Sequence, residues 1–394
     1  MPNSLEANCR SKLRPLTLLQ PAKISFGAGA SLQAVDFLKE RNIASVALFV
    51  SKSTCSLAAG LLDALQAAKI ETHVSQAQPA EPTLQDAESA RAWLRSTAAQ
   101  AAIGFGGGSV IDIAKIAAAT VRQAASLSTF VGNGLLPSRP IPLLAIPTTS
   151  GAGSEVSPNA IFLDVEAQLK KGIISPWLVP DAAFVDPELT YSLPSGTTAS
   201  TALDALSHCV EAFANRNAHP LVDVYALKGV ELIFQNLKAA IEDGRNTEAR
   251  SALALGSLYG GLCLGPVNTA AIHALSYPLG SEFQVPHGLA NAMLIPHVLS
   301  FNAVTAPQRY AEIALHLGIA SSTDDVTEQA KRFIQSLTQL CADCSIPSSL
   351  SDFRVSQDDI PRMAAAALTI QRLLVNNLRD LTQTDAEAIY RNAF

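Results

Sequence analysis

The chain predicts an α/β domain built on a parallel sheet, followed by an all-helical domain. Strand-like apolar runs alternate with helical patterns in the first half, strand signals fade after Pro187, and the rest reads as a succession of helices. The division is expected at residues 1–189 and 190–394, and a hydrophobic content of 48% is ample for two buried cores.

In chain order, the expected strands are Val46–Val50, Ala102–Phe105, Leu143–Ile146, Ala160–Leu163 and Ala183–Val185. Between them, Leu32–Glu40, Leu57–Lys69, Leu84–Ser96 and Val110–Arg122 carry the 3.6-residue periodicity of helices. Beyond Thr190 the helical segments are Ala199–Asn215, Val222–Glu242, Glu248–Leu264, Pro307–His316, Thr327–Leu340, Ile360–Leu368 and Asp385–Asn392. Ser251–Ser281 lacks formal charge over a length that could span a bilayer, but its glycines and prolines fit a buried helix that breaks into a loop.

Ala101–Phe105 runs into Gly106, Gly107 and Gly108, with Ser109 opening a helix and Asp112 at its third position in a capping-box arrangement. Glycines there let backbone approach a phosphate, and free N–H groups at a helix start favour negative charge. The turn is neither G-x-G-x-x-G nor a Walker loop, so an ordinary strand-turn-helix junction accounts for it equally well. After Ile141–Ile146 comes a second small polar loop, Pro147–Glu155, which a parallel sheet brings to the same edge as the first.

Two distant stretches hold the strongest chemistry. Asp204 and His208 are four apart in a helical segment, hence on one face, and His273 and His287 follow later. Pro278, Gly280 and Pro286 separate the last two, so His287 is expected on a loop leaving the helix of His273. One carboxylate and three imidazoles form a complete ligand set for Fe(II), Zn(II) or Mn(II). Such an ion acts as a Lewis acid on an alcohol or aldehyde oxygen.

These stretches together resemble the iron-containing (group III) alcohol dehydrogenases. The matching residues are Gly106–Lys115, Thr148–Glu155, Asp186-Pro-Glu-Leu189, Asp204-x3-His208, His273-Ala-Leu-Ser-Tyr-Pro-Leu-Gly and Val-Pro-His287-Gly-Leu-Ala-Asn-Ala, in order from about Phe26 to past Asn302. The resemblance implies a dehydroquinate synthase-like architecture, with a dinucleotide-binding α/β domain, a helical metal-binding domain and the nicotinamide in the cleft between them. It implies that Asp204, His208, His273 and His287 hold Fe(II) or Zn(II). It further implies that Gly106, Gly107, Gly108, Ser109 and Asp112 line the pyrophosphate, that Thr148, Thr149 and Lys170 contact the cofactor, and that Asn159 touches substrate. The activity implied is hydride transfer between NAD(P)(H) and a small alcohol or aldehyde, in a homodimer or larger homo-oligomer.

Two departures from that family pattern bear on function. Many relatives that prefer NAD carry an aspartate after the strand equivalent to Val46–Val50, whereas this chain has Ser51-Lys52-Ser53-Thr54, and a cation among hydroxyls accepts a 2′-phosphate. NADP(H) is therefore expected in preference to NAD(H), with Lys52 as a cofactor residue. At the place of a proton-relaying histidine stands Tyr277, far less suited than histidine to shuttling at neutral pH.

Composition narrows the remaining classes. A net charge of −6 without a basic cluster argues against nucleic acid, and no membrane partner is expected. The six cysteines, Cys9, Cys55, Cys209, Cys263, Cys341 and Cys344, show no disulfide framework, and Met1–Leu16 lacks an export signal, so a reducing cytoplasmic setting is expected. Cys341 and Cys344 read as helix-face thiols. Rival readings are a maleylacetate reductase-like or glycerol dehydrogenase-like enzyme, a metallohydrolase, and a non-enzymatic metal-binding assembly protein. A hydrolase needs no dinucleotide cradle. The substrate pocket is expected to be apolar, near Phe162, Phe213, Leu264, Val267 and Phe283.

Overall fold

The computed structural model describes residues 14–76, 81–166 and 169–394; Cys9 and most of the Met1–Leu16 segment lie outside the described residues. Nine strands occur among them: β1 (Lys23–Phe26), β2 (Ser45–Val50), β3 (Glu71–Ser75), β4 (Ala101–Gly106), β5 (Gly132–Asn133), β6 (Leu143–Pro147), β7 (Asn159–Asp164), β8 (Leu169–Ile174) and β9 (Ala182–Val185). Helices α1 (Gln33–Glu40), α2 (Ala59–Ala67), α3 (Leu84–Thr97) and α4 (Gly108–Thr120) connect the early strands. The main sheet is parallel throughout, in the order β1-β9-β6-β4-β2-β3.

Alternation along the central strands divides the core. Val46, Leu48, Val50, Ile103 and Phe105 point to one face, packing with Phe37 and Leu61, while Ala47, Phe49 and Ala102 join Ile113, Ala117 and Leu127 on the other. A parallel sheet covered on both sides must bury both sets, which is why β4 and β6 read as continuous apolar runs. Strands β1 and β3 escaped the sequence reading because they form the two edges, where half-exposed sequences such as Glu-Thr-His-Val-Ser lack that signature.

One expectation is corrected. Ala160–Leu163 does not join the main sheet: β7 pairs antiparallel with β8 in a three-stranded sheet ordered β5-β8-β7. Its alternately buried side chains, Ala160 and Phe162, pack with residues of α4.

From Ser195 the chain is helical: α5 (Ser195–Phe213), α6 (Pro220–Glu242), α7 (Thr247–Leu264), α8 (Ala271–Phe283), α9 (His287–Ala303), α10 (Pro307–His316), α11 (Val326–Asp343), α12 (Ile360–Leu368), α13 (Gln371–Leu374) and α14 (Gln383–Asn392). The loop expected to deliver His287 is only residues 284–286, and His287 is itself the first residue of α9. The sequence reading expected a helix carrying His273 without giving its bounds and missed α9; Pro278 and Pro296 lie inside these helices. Cys341 lies in α11 and Cys344 caps its end. Among the described residues, no helix is long and apolar enough to cross a membrane.

The two halves meet where the loop after β6 presses on α7. Gly153 adopts a φ of +62°, and a Cβ there would fall 2.3 Å from the Gly261 Cα. Val156 then packs with Leu258 and Leu262 beside the contact. Gly153→Ala is expected to destabilise the fold by about 2–4 kcal/mol, through left-handed strain and overpacking. A lowered urea midpoint with an unchanged slope is the readout; an unchanged midpoint contradicts the close approach.

Candidate metal centre and dinucleotide cleft

Helix α5 has no proline or glycine after Gly196, and its Ala, Leu and Val positions bury it almost completely. Asp204, His208 and Glu211 therefore project from one face at spacings of four and three. Helices α8 and α9 bring their N-termini to that face, with His273 at the third position of α8 and His287 at the first of α9. The approach depends on Gly288, where a Cβ would sit 2.5 Å from the Ser200 carbonyl oxygen on α5.

The four predicted ligands converge. From Asp204 Oδ1 the distances are 3.8 Å to His208 Nε2, 3.5 Å to His273 Nε2 and 3.8 Å to His287 Nε2. Tetrahedral ligands held roughly 2.0–2.2 Å from a cation stand roughly 3.3–3.6 Å apart, so the set fits a first-row divalent ion with only small adjustments. Asp204, His208 and His273 form the tight group, within 4.8 Å of one another and buried, while His287 approaches through Asp204 from the cleft side with its side chain 30% exposed.

Two further residues complete the cluster. Glu211 accepts from the Ile272 backbone N–H at 2.6 Å and faces His273 Nδ1 at 2.6 Å, which orients the imidazole with Nε2 toward Asp204 and also answers a free N–H of the α8 N-terminus. Asn291 donates through Nδ2 to Asp204 Oδ1 at 2.7 Å and lies 3.2 and 3.3 Å from the Nε2 atoms of His273 and His287. Its Oδ1 is buried without a hydrogen-bond partner, so turning the amide over would present an acceptor to a cation. Neither was singled out from the sequence, although Glu211 stands three residues after His208 and Asn291 four after His287, on the same helix faces.

Charge in the cluster follows from packing. Burial favours protonated Asp204, yet the surrounding His208, His287 and His273 overcome it and hold the carboxyl far below its usual range. Burial lowers His208 to about 4 against the pull of Asp204, and burial together with Lys170 lowers His287. Burial also opposes charge on His273, but Glu211 and Asp204 outweigh it and raise its pKa to about 10. A cation at Nε2 competes there with a proton.

Beside the cluster opens a cavity of about 1130 Å³ between the two halves. Its far end is the carboxyl edge of the main sheet, where the chain leaves β2 toward β3 on one side and β4 toward β6 on the other, the position at which such sheets take ligands. Of the expected cofactor residues, Gly107, Gly108, Ser109, Asp112, Thr148, Thr149 and Lys170 line it, as does Asn159. Gly106 and Lys52 do not; Lys52 is exposed in the turn after β2, between the lining residues Ser51 and Ser53. A Cβ on Gly108 would lie 2.5 Å from the Ala152 Cβ, so the two loops touch only because that position is bare. Thr148 Oγ1 and Asn159 Oδ1 are buried without partners, polar atoms suited to a bound ligand.

Two expectations change here. The cap of α4 is Gly107 with no side-chain bond, and Asp112 instead accepts from Ser154 Oγ at 2.5 Å and the Ile161 N–H at 2.9 Å, tying the second loop and β7 to α4. Phe162 and Leu264 line the cavity, but Phe213, Val267 and Phe283 do not, because they pack into the helical core. Tyr277 is buried with its ring 6.0 Å from that of His287, and its Oη accepts from Arg372 Nη2 at 2.8 Å, a lining residue the sequence reading passed over.

Behind the second loop, Lys115 is fully buried and donates to the carbonyls of Ser157 and Asn159, both at 2.9 Å. Burial raises nearby Glu155 to about 7 from an ordinary 4.5, with Lys115 offsetting part of the shift.

A model of the iron-containing alcohol dehydrogenases matches residues 21–187, and one of the Fe-containing alcohol dehydrogenase family's C-terminal part matches residues 198–394. Long-chain-alcohol dehydrogenase 1 of Geobacillus thermodenitrificans is 37% identical over 317 residues, covering 80% of each chain. Sulfoacetaldehyde reductase of Bilophila wadsworthia is 30% identical over 94% of this chain and 97% of that protein. A crystal structure of 1,3-propanediol oxidoreductase superposes with a TM-score of 0.93 at 30% identity, covering 97% of this chain and all of that one.

Two outcomes are expected. Glu211→Gln should weaken binding of Fe(II) or Zn(II) about 10- to 100-fold by removing the carboxylate behind His273, measured by chelator competition with circular dichroism as a folding control. Glu155 binds its proton more tightly folded than unfolded, so it subtracts stability as pH rises from 4.5 through about 7. Glu155→Gln should gain about 1–3 kcal/mol in urea unfolding at pH 8 and nothing at pH 4. Equal effects at both pH values contradict the shift.

Proposed function

The chain belongs to the iron-containing alcohol dehydrogenase family, and from that premise we propose a metal-dependent oxidoreductase that transfers a hydride between NAD(P)(H) and a small alcohol or aldehyde. One observation carries the reading: the Asp204, His208, His273 and His287 donor atoms gather at one end of a cavity whose other end is the Gly107–Ser109 turn. Residues 1–189 are read as the dinucleotide-binding part and residues 190–394 as the metal-binding part. The named relatives act on long-chain alcohols, sulfoacetaldehyde and 1,3-propanediol, which supports an alcohol or aldehyde as substrate without selecting one.

When bound, an Fe(II) or Zn(II) ion supplies Lewis acidity at the substrate oxygen and a nicotinamide supplies the hydride or takes it up. The protein's part is orientation. Asp204 and the three imidazoles hold the ion, Glu211 fixes the His273 ring, and Asn291 steadies Asp204. The backbone of Gly107 and Gly108, with Ser109 at the start of α4, cradles a pyrophosphate. Thr148 and Thr149 line the adjoining wall, Asp112 holds it in place through Ser154, and Lys170 reaches in from β8. Asn159 faces the substrate end. Tyr277, held by Arg372, lines the same cavity beside His287.

We read the dinucleotide as NADP(H) in preference to NAD(H), on the exposed Lys52 beside the hydroxyls of Ser51, Ser53 and Thr54. A reducing cytoplasmic setting suits the free thiols Cys55, Cys209, Cys263, Cys341 and Cys344, and a homodimer or larger homo-oligomer belongs to the same reading.

The test is metal analysis of the purified protein joined to an aldehyde-reduction screen with both dinucleotides. Reduction should vanish on chelation and return with Fe(II) or Zn(II); activity indifferent to chelation overturns the metal's role. Lys52→Asp should move the NADPH-to-NADH ratio of kcat/KM about tenfold or more toward NADH. A clear NADH preference that Lys52→Asp leaves unaltered discards the cofactor assignment.

A further inference from the structure

We propose that Arg372 recognises an oxyanion at the far end of the substrate, so that this site takes short aldehydes or alcohols bearing a terminal carboxylate or sulfonate. The inference rests on the dehydrogenase reading and deepens it. Arg372 projects from α13 into the cleft, where its guanidinium carbon would lie 3.7 Å from a Cβ on Gly172 of β8. Its side-chain bond there is to a neutral group, the Tyr277 hydroxyl. Among the described residues no carboxylate pairs with it, whereas Arg309, Arg362 and Arg379 of the same helical half each have an acidic partner.

The neighbouring cation shows the contrast. Lys170 and Arg372 flank the Tyr277 ring, 5.9 and 5.7 Å from its centre, but Lys170 is answered by Glu81 at 3.0 Å. Positive charge therefore remains unbalanced at Arg372, beside the Tyr277 ring that also neighbours His287. A half-buried cation without a counter-charge is costly, and a guanidinium offers a planar fork that matches an oxyanion. Nη2 is engaged by Tyr277, leaving the rest of the fork for a ligand. The cavity wall here is not the wholly apolar one expected from the sequence: Leu264 and Phe162 suit a short carbon chain, and Arg372 suits its charged end.

In the reducing direction the aldehyde carbon takes the hydride of the reduced nicotinamide and its oxygen takes a proton. The products are the ω-hydroxy anion and the oxidised dinucleotide, and the charged terminus passes through unchanged.

Metal-loaded protein is assayed with butanal, succinate semialdehyde and sulfoacetaldehyde. Wild type should favour a charged aldehyde over butanal by about 10- to 100-fold in kcat/KM, and Arg372→Leu should collapse that ratio, with Arg372→Lys intermediate. Succinate semialdehyde and sulfoacetaldehyde separate a carboxylate from a sulfonate terminus. Wild-type preference for butanal, an equal loss on all three aldehydes in Arg372→Leu, or a rise in the dinucleotide KM alone overturns the assignment. Absence of reduction with every aldehyde and both dinucleotides instead refutes the dehydrogenase reading. Calorimetric titration with succinate semialdehyde and sulfoacetaldehyde, without dinucleotide, decides the role of Arg372 independently of turnover. Binding of either lost in Arg372→Leu supports it, and binding unchanged by the variant, or absent from wild type for both, overturns it.

Discussion

A carboxylate as deeply buried as Asp204 must be compensated, and the way it is compensated organises the helical half of the protein. Three imidazoles and an amide surround it, drawn from α5, α8 and α9. Helices α8 and α9 arrive with their N-terminal ends, so the partial positive charge of two helix starts faces Asp204 and Glu211. Bare backbone at Gly288 permits the closest of these approaches. The same arrangement that neutralises a buried charge also assembles a metal-binding donor set.

The sheet contributes a second fixed edge. Because its strands are parallel and its chain order reverses between β2 and β4, the loops after β2, β4 and β6 share one side. Asp112 and Lys115, both on α4, hold the third of these loops and the start of β7 against the second. The Gly153 to Gly261 contact then presses that loop on α7. The glycine-rich turn and the Asp204 cluster, from different halves of the chain, thereby open into one cavity.

Buried strands were legible because burial on both faces leaves uninterrupted apolar runs, as in β4 and β6, whereas the edge strands β1 and β3 face solvent and lose that mark. Strand β7 was recognised as a strand but assigned to the wrong sheet, since periodicity reports burial and not partner. Helix α9 hid behind its internal proline, and α8, expected as the helix of His273, had its bounds blurred by Pro278. The four converging donors were legible as residue types, with Asp204 and His208 at helical spacing. Glu211 and Asn291 carry the same spacing but are ordinary polar residues until their neighbours are known.

The amino-acid sequence by itself determined the class of fold, the glycine-rich turn and the four side chains whose donor atoms converge at Asp204, because each is encoded by local pattern and residue chemistry. Tertiary structure alone decided that Glu211 backs His273, that Asp112 braces a loop instead of capping a helix, and that Arg372 enters the cleft without a carboxylate partner among the described residues. Those facts depend on contacts between segments up to about a hundred residues apart, such as Tyr277 with Arg372, where sequence separation carries no information about distance.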